Sequence, residues 1–270
     1  DYYMVPPIDR RLTVESDRFS ELSNMFAQAG NLERALEYAL RCADIEKQVA
    51  GKEHIWYGNS TIIIGNLYYA LGDSINAEEN YLINKNICKH TYGEYSERYV
   101  DALLSLASVN TDFSMKDGLD KATRYLDEAY SIAHKRYPLL EAQIVNQQSV
   151  IAFRNKNYEQ AKTLMMQALS LCELAEGKTS NNYEILLSNT IDLYQMFGQY
   201  DEAITLGQDF LEACNQANRS DSIPAFIMVK ISQANIAKGD INNALVQIEK
   251  AENIMRQYGT AKVDYINILG

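Results

Sequence analysis

A six-residue pattern that returns about every 42 residues constrains this chain more than any other feature in it. Gly30-Asn31-Leu32-Glu33-Arg34-Ala35 recurs as Gly72-Asp73-Ser74-Ile75-Asn76-Ala77, as Gly198-Gln199-Tyr200-Asp201-Glu202-Ala203 and as Gly239-Asp240-Ile241-Asn242-Asn243-Ala244. Two looser copies are Asp117-Gly118-Leu119-Asp120-Lys121-Ala122 and Lys156-Asn157-Tyr158-Glu159-Gln160-Ala161. The closing alanines 35, 77, 122, 161, 203 and 244 are spaced 42, 45, 39, 42 and 41 residues apart. A fixed period of this length means stacked units, none of which can bury its apolar face alone.

The pattern reads as a tight helix–helix turn. Glycine ends the first helix by taking the left-handed conformation, and Asp, Asn or Gln starts the next. The residue three before the alanine (Leu32, Leu119, Tyr158, Tyr200, Ile241) is expected to pack into the corner. The alanine is small so that two backbones can approach. Ten residues past it stand Ile45, Ile87, Ile132, Leu171, Ala213 and Ile254, an unbroken apolar position on the second helix. Apolar runs such as Ile62-Ile63-Ile64 and Leu103-Leu104 precede the turns. Gly51, Gly93 and Gly177, set at multiples of 42, follow the second helices. The four prolines stand at 6, 7, 138 and 224, which leaves most of the chain free of helix breakers.

The expected architecture is therefore all-α, with six helix pairs over residues 12–258 and a lead-in over 1–11. The third unit carries a longer turn, Asp112 to Gly118. Residues 259–270 read as the start of a seventh first helix, since Ile268-Leu269-Gly270 matches Ile63-Ile64-Gly65. On that reading the native chain continues past Gly270.

Ile64-Gly65-Leu67-Tyr68-Gly72-Ala77-Tyr81 resembles the tetratricopeptide repeat (TPR) almost residue for residue. Leu22-Phe26-Gly30-Ala35 and Tyr194-Gly198-Ala203 follow the same pattern in part. The 42-residue period, in place of 34, resembles the kinesin-light-chain type, as do the connections Gly51-Lys52-Glu53-His54 and Gly93-Glu94-Tyr95-Ser96. A proline expected after His54 is missing. The resemblance implies a right-handed superhelical solenoid whose first helices line a concave groove.

Little here points to chemistry. His54, His90 and His134 have no partner at metal-ligand spacing. No nucleophile–base set, phosphate loop or His-Glu-x-x-His occurs. Cys88, Cys172 and Cys214 share one position, eleven past the alanine, where other units carry Ala133 and Met255. That slot takes small apolar groups. Adjacent repeats hold it at least one helix spacing apart, too far for a disulfide, so free thiols are expected, Cys42 included. A net charge of −11 disfavours nucleic acid and anionic membrane as partners. No run of 18 apolar residues occurs, so membrane insertion is not expected, and the chain is placed in the cytoplasm. No enzyme activity and no cofactor are expected, and oligomeric state is left open.

One polar series stands out. Asn24, Asn66, Ser108, Val150, Asp192 and Gln233 share one position on the first helices, at steps of 42, 42, 42, 42 and 41. The family often carries Asn here, where its amide bonds the backbone of an extended peptide. With Tyr69, expected off the core face, and Arg154, taken as the one cation of the inner face, these form the candidate peptide-binding residues. A solvated face without ligand is the competing reading. The flanking positions Ser20, Ile62, Leu104, Asn146, Ser188 and Val229 lack the basic residues with which chaperone-binding members grip a terminal carboxylate. Two functions follow: a scaffold or adaptor holding a protein or peptide segment, or the sensing or substrate-recognition region of a longer signalling protein or protease.

Overall fold

A computed structural model describes residues 10–113, 117–219 and 221–258. The lead-in expected over 1–11 lies mostly outside these residues, as do the expected seventh helix over 259–270 and positions 114–116 of the long turn. Among the described residues there are twelve α-helices and no strand. They are α1 (Arg10–Gln28), α2 (Leu32–Val49), α3 (Ile55–Ala70), α4 (Ser74–Tyr92), α5 (Glu97–Asp112) and α6 (Gly118–Ala133). Then follow α7 (Pro138–Arg154), α8 (Tyr158–Glu176), α9 (Asn181–Met196), α10 (Tyr200–Gln216), α11 (Ile223–Lys238) and α12 (Ile241–Tyr258). Odd helices are the first of each pair and are called A helices below; even ones are B helices. The chain divides into two compact units, Asp1–Leu140 and Glu141–Gly270.

The six alanines sit where the spacing placed them. Ala35, Ala77, Ala122, Ala161, Ala203 and Ala244 are at most 2% exposed. At the A–B turn, Gly72 holds φ +82°, and its N–H closes onto the Tyr69 carbonyl. The two looser copies reach the same region without glycine: Asp117 has φ +56° and Lys156 φ +62°. The third turn runs from 113 to 117, against 71–73 for its neighbour, so the longer loop is present. The corner position behaves less uniformly than expected. Leu32, Leu119 and Tyr200 are half-buried, but Tyr158 and Ile241 are exposed. A residue in the first turn of a B helix needs a neighbouring side chain to cover it. Tyr158 finds only the edges of Phe153 and Phe197, with centroids at 5.5 and 5.1 Å.

The B–A connections have their own grammar. Gly93 and Gly177 adopt φ 87° and 88° with ψ near 160°, a region open essentially to glycine alone. Three residues on, Ser96 and Ser180 cap the next helix, their Oγ accepting the N–H of Tyr99 and Tyr183. Lys135 occupies the equivalent of these glycines with φ +59°, and α7 opens directly on Pro138.

Within the first unit, Ala35, Ala39 and Ala43 of α2 pack on Ile64 and Leu67 of α3. Ala77 and Tyr81 of α4 pack on Leu106 and Val109 of α5. In the second unit, Ala152, Ala161, Met165 and Leu193 join α7, α8 and α9, and Ala225, Val229, Ala251 and Met255 join α11 to α12. In these clusters α2, α4 and α8 supply residues against which the next A helix seats its apolar side.

Candidate functional site on the A helices

The polar series is accessible throughout, and its surroundings differ by unit. In the first unit Asn24 and Asn66 are exposed and Ser108 is half-buried. Asn66 is anchored from below: Tyr81 Oη donates to its Oδ1 at 2.8 Å. Burial pushes the Tyr81 hydroxyl up to about 12, so it stays a neutral donor at physiological pH. The ring lies so close over Gly65 that a Cβ there would stand 2.5 Å from it. Gly65, Tyr81 and Asn66 are thus one device. The glycine admits the ring, the ring carries the hydroxyl, and the hydroxyl holds the amide with its N–H₂ turned to other partners.

In the second unit Val150 and Asp192 are half-buried and Gln233 is exposed. Both oxygens of Asp192 accept from Lys230 Nζ, at 2.6 and 2.7 Å. Gln195 Nε2 donates to the Lys230 carbonyl at 3.1 Å. These bonds cross from α9 to α11, so two A helices present their polar side chains to one face. A cavity of about 260 Å³ opens beside this pair, with Val150, Phe153, Asn189, Asp192, Leu193 and Met196 in its wall. It is mainly apolar and falls just below the roughly 300–1,000 Å³ of small-molecule sites. Ile185 and Met196 on α9 and Ile236 on α11 are exposed, Met196 by 67%.

Two sequence expectations need correction. Tyr69 does not stand clear of the core. It is half-buried, packs against the Ala77–Leu106 cluster and meets the Phe113 ring edge-on at 5.1 Å, and its hydroxyl donates to Asp112. Asp112, the last residue of α5, and Phe113, which caps it, supply this cover. Arg154, exposed at the end of α7, is not the one cation of this face, since Lys230 joins it. Lys230 was legible. The position three before each member of the series reads Glu21, Ile63, Ser105, Gln147, Asn189 and Lys230, mostly polar on otherwise apolar helices.

The thiols offer no reactivity. Cys42, Cys88, Cys172 and Cys214 are free and buried, and burial raises each above the ordinary thiol range. Among the described residues no three His, Cys, Asp or Glu side chains converge to hold a metal ion. No described helix is long and apolar enough to cross a membrane.

Residues 17–55 and 140–216 match models of the tetratricopeptide repeat. None of the curated proteins searched matches the chain. Among solved structures, BtubC (BKLC) from P. vanneervenii aligns with a TM-score of 0.66 over 85% of this chain and 93% of its own, at 19% identity. The Rap conjugation gene regulator of the plasmid pLS20, in complex with the Phr* peptide, aligns at 0.64 over 92% and 75%, at 14% identity. The STAND protein with a tetratricopeptide repeat sensor, PH0952 from Pyrococcus horikoshii, aligns at 0.61 over 97% of this chain and 39% of its own, at 16% identity. At such identities the likeness establishes the fold: paired, stacked helix–turn–helix units of the tetratricopeptide type.

Proposed function

We propose that this chain is a protein- or peptide-binding scaffold or adaptor that holds an extended segment along its A helices, and that it carries no catalytic role. Asn24, Asn66, Ser108, Arg154, Asp192 and Gln233 are the contact residues of this reading, to which Lys230 is added. The observation that carries it is the second unit's juxtaposition of an apolar cavity with the Asp192–Lys230 pair. An extended peptide needs both: a hole for an alternate side chain and polar groups for its backbone. Support also comes from the Rap regulator of similar fold, whose structure contains a peptide. The 42-residue period and the Gly93 and Gly177 connections favour the kinesin-light-chain type of repeat, and the buried thiols suit a cytoplasmic location.

A second reading rests on a specific likeness. The STAND protein uses its tetratricopeptide repeats as a sensor within a much longer chain. A sensing or substrate-recognition role in a longer protein uses the same face, so one test serves both. A phage library of random 12-residue peptides is selected on the wild-type chain. Enriched peptides are expected to lose roughly tenfold or more in affinity for Val150→Arg, which fills the cavity, and for Asp192→Ala. Peptides that bind both variants as tightly as wild type would overturn the assignment of the face.

A further inference from the structure

Two slots that the third to sixth repeats keep apolar turn polar around one cavity of the first unit. Eleven residues past the alanine, the B helices carry Cys88, Ala133, Cys172, Cys214 and Met255, all buried; α2 carries Glu46. Six residues before the polar series, α5, α7, α9 and α11 carry Ala102, Ile144, Leu186 and Ile227; α3 carries Ser60 and α1 the exposed Arg18. The two departures meet, since Ser60 Oγ donates to Glu46 Oε2 at 2.6 Å. Cys42 Sγ lies 3.6 Å from that hydroxyl and 3.3 Å from Ser16 Oγ. Packing alone does not require this. A repeat that needed only stability would place a small apolar residue at 46, as its relatives within the chain do.

Glu46 and Ser16 border a cavity of about 210 Å³ between α1, α2 and α3, whose wall also includes Asp17, Ile45, Val49 and Trp56. Among the described residues neither Asp17 nor Glu46 forms a salt bridge. The groups reaching Glu46 are a neutral hydroxyl and a neutral thiol. Burial holds its carboxyl above the ordinary range, and the charge of Asp17 adds to that. Among the described residues the site therefore has negative charge to offer and no cation paired with it. Trp56, 38% exposed, closes one side with its indole. Two carboxylates beside an aromatic face suit a cation on an alkyl stem. They make no cluster able to hold a metal ion, and the volume is below that of drug-sized sites.

We propose that this cavity is a second binding site, lined by none of the polar-series residues, that takes a primary alkylammonium group between Glu46, Asp17 and Trp56. The group can come from a lysine side chain of a protein partner or from a free small amine.

Trp56 is the single tryptophan of the chain, so its fluorescence reports on this cavity alone. The whole chain is titrated with n-butylammonium, with butyrate, with acetyl-Gly-Lys-Gly-amide and with the same peptide acetylated on its lysine. A saturable change is expected with n-butylammonium and none with butyrate. Glu46→Gln is expected to weaken n-butylammonium binding by roughly tenfold or more while unfolding no earlier than wild type. A purely structural Glu46 would instead leave the variant less stable. A lysine peptide that binds more tightly than n-butylammonium, and loses that on acetylation, assigns the site to a partner's lysine; the reverse order assigns it to a free amine. Absence of a saturable change with n-butylammonium, or unchanged affinity in Glu46→Gln, overturns the proposal. Should Glu46→Gln fail to fold, the exposed Asp17→Asn carries the test. Roughly threefold weaker binding is expected there, and wild-type affinity overturns the proposal.

Discussion

The two units carry the same polar series and secure it in opposite ways. In the first, Asn66 is held within its own helix pair by the buried Tyr81 hydroxyl. In the second, Asp192 is held by Lys230 from the following A helix. The first arrangement is neutral, anchored in the core and insensitive to salt. The second is charged and partly solvated, with side chains 28% and 45% exposed for Lys230 and Asp192, so it yields more readily to a competing partner. An apolar cavity adjoins the second pair. The first unit thus supplies fixed hydrogen-bond donors, and the second a side-chain pocket with an adjustable charge. Repeats of one ancestry diverge by changing what lies beneath a position, not the position itself.

The sharpest way to break this contrast is to remove the space that Tyr81 occupies. Gly65→Ala places a methyl 2.5–2.6 Å from two ring carbons of a side chain that is only 3% exposed. The ring cannot move without surrendering its bond to Asn66. A loss of about 3 kcal/mol is expected from urea unfolding. A loss under 1 kcal/mol would mean that the ring has room, and that Asn66 is not fixed by it.

Next comes the anchor itself. Asn66→Ala leaves a buried phenol without its acceptor and is expected to cost about 2 kcal/mol. Tyr81→Phe removes the donor as well, so the double variant should recover much of that loss. Full additivity in this cycle would show that the bond contributes nothing. Asp192→Ala breaks a half-exposed ion pair and should cost under about 1 kcal/mol, the difference fading at high salt. If both single variants cost the same in 1 M salt, the contrast between the units fails.

How much of this could be read beforehand follows the same physics. The anchor alanines, most of the turn glycines and the cysteine slot were legible because the period holds them in register, and repetition displays the alanine six times. Tyr69 was less legible because its cover comes from Asp112 and Phe113, at the end of the next A helix and 43 residues on in the case of Asp112. Lys230 was legible as a polar residue on an apolar helix, but its pairing was not, because its partner lies 38 residues away. The cavity below Glu46 was invisible for a related reason. A polar residue at 46 looks ordinary until its equivalents in five other repeats are found buried and apolar.

The smallest effect tests the turns that abandoned glycine. Asp117, in the first unit, and Lys156, in the second, hold φ of +56° and +62° where their equivalents hold Gly72 and Gly198. A left-handed backbone strains any residue with a Cβ, by roughly 1 kcal/mol, but aspartate less than lysine because its short polar side chain bonds locally. Replacement by glycine relieves the strain and raises the entropy of the unfolded chain, which offsets part of the gain. Lys156→Gly is therefore expected to stabilise by about 0.5 kcal/mol, and Asp117→Gly by less. The side chain of Lys156 is exposed at the end of the turn, so no packing is lost with it. Thermal unfolding of the two variants side by side measures the difference. A destabilised Lys156→Gly would mean that the lysine side chain itself braces the turn, and that the looser copies of the pattern are not merely tolerated.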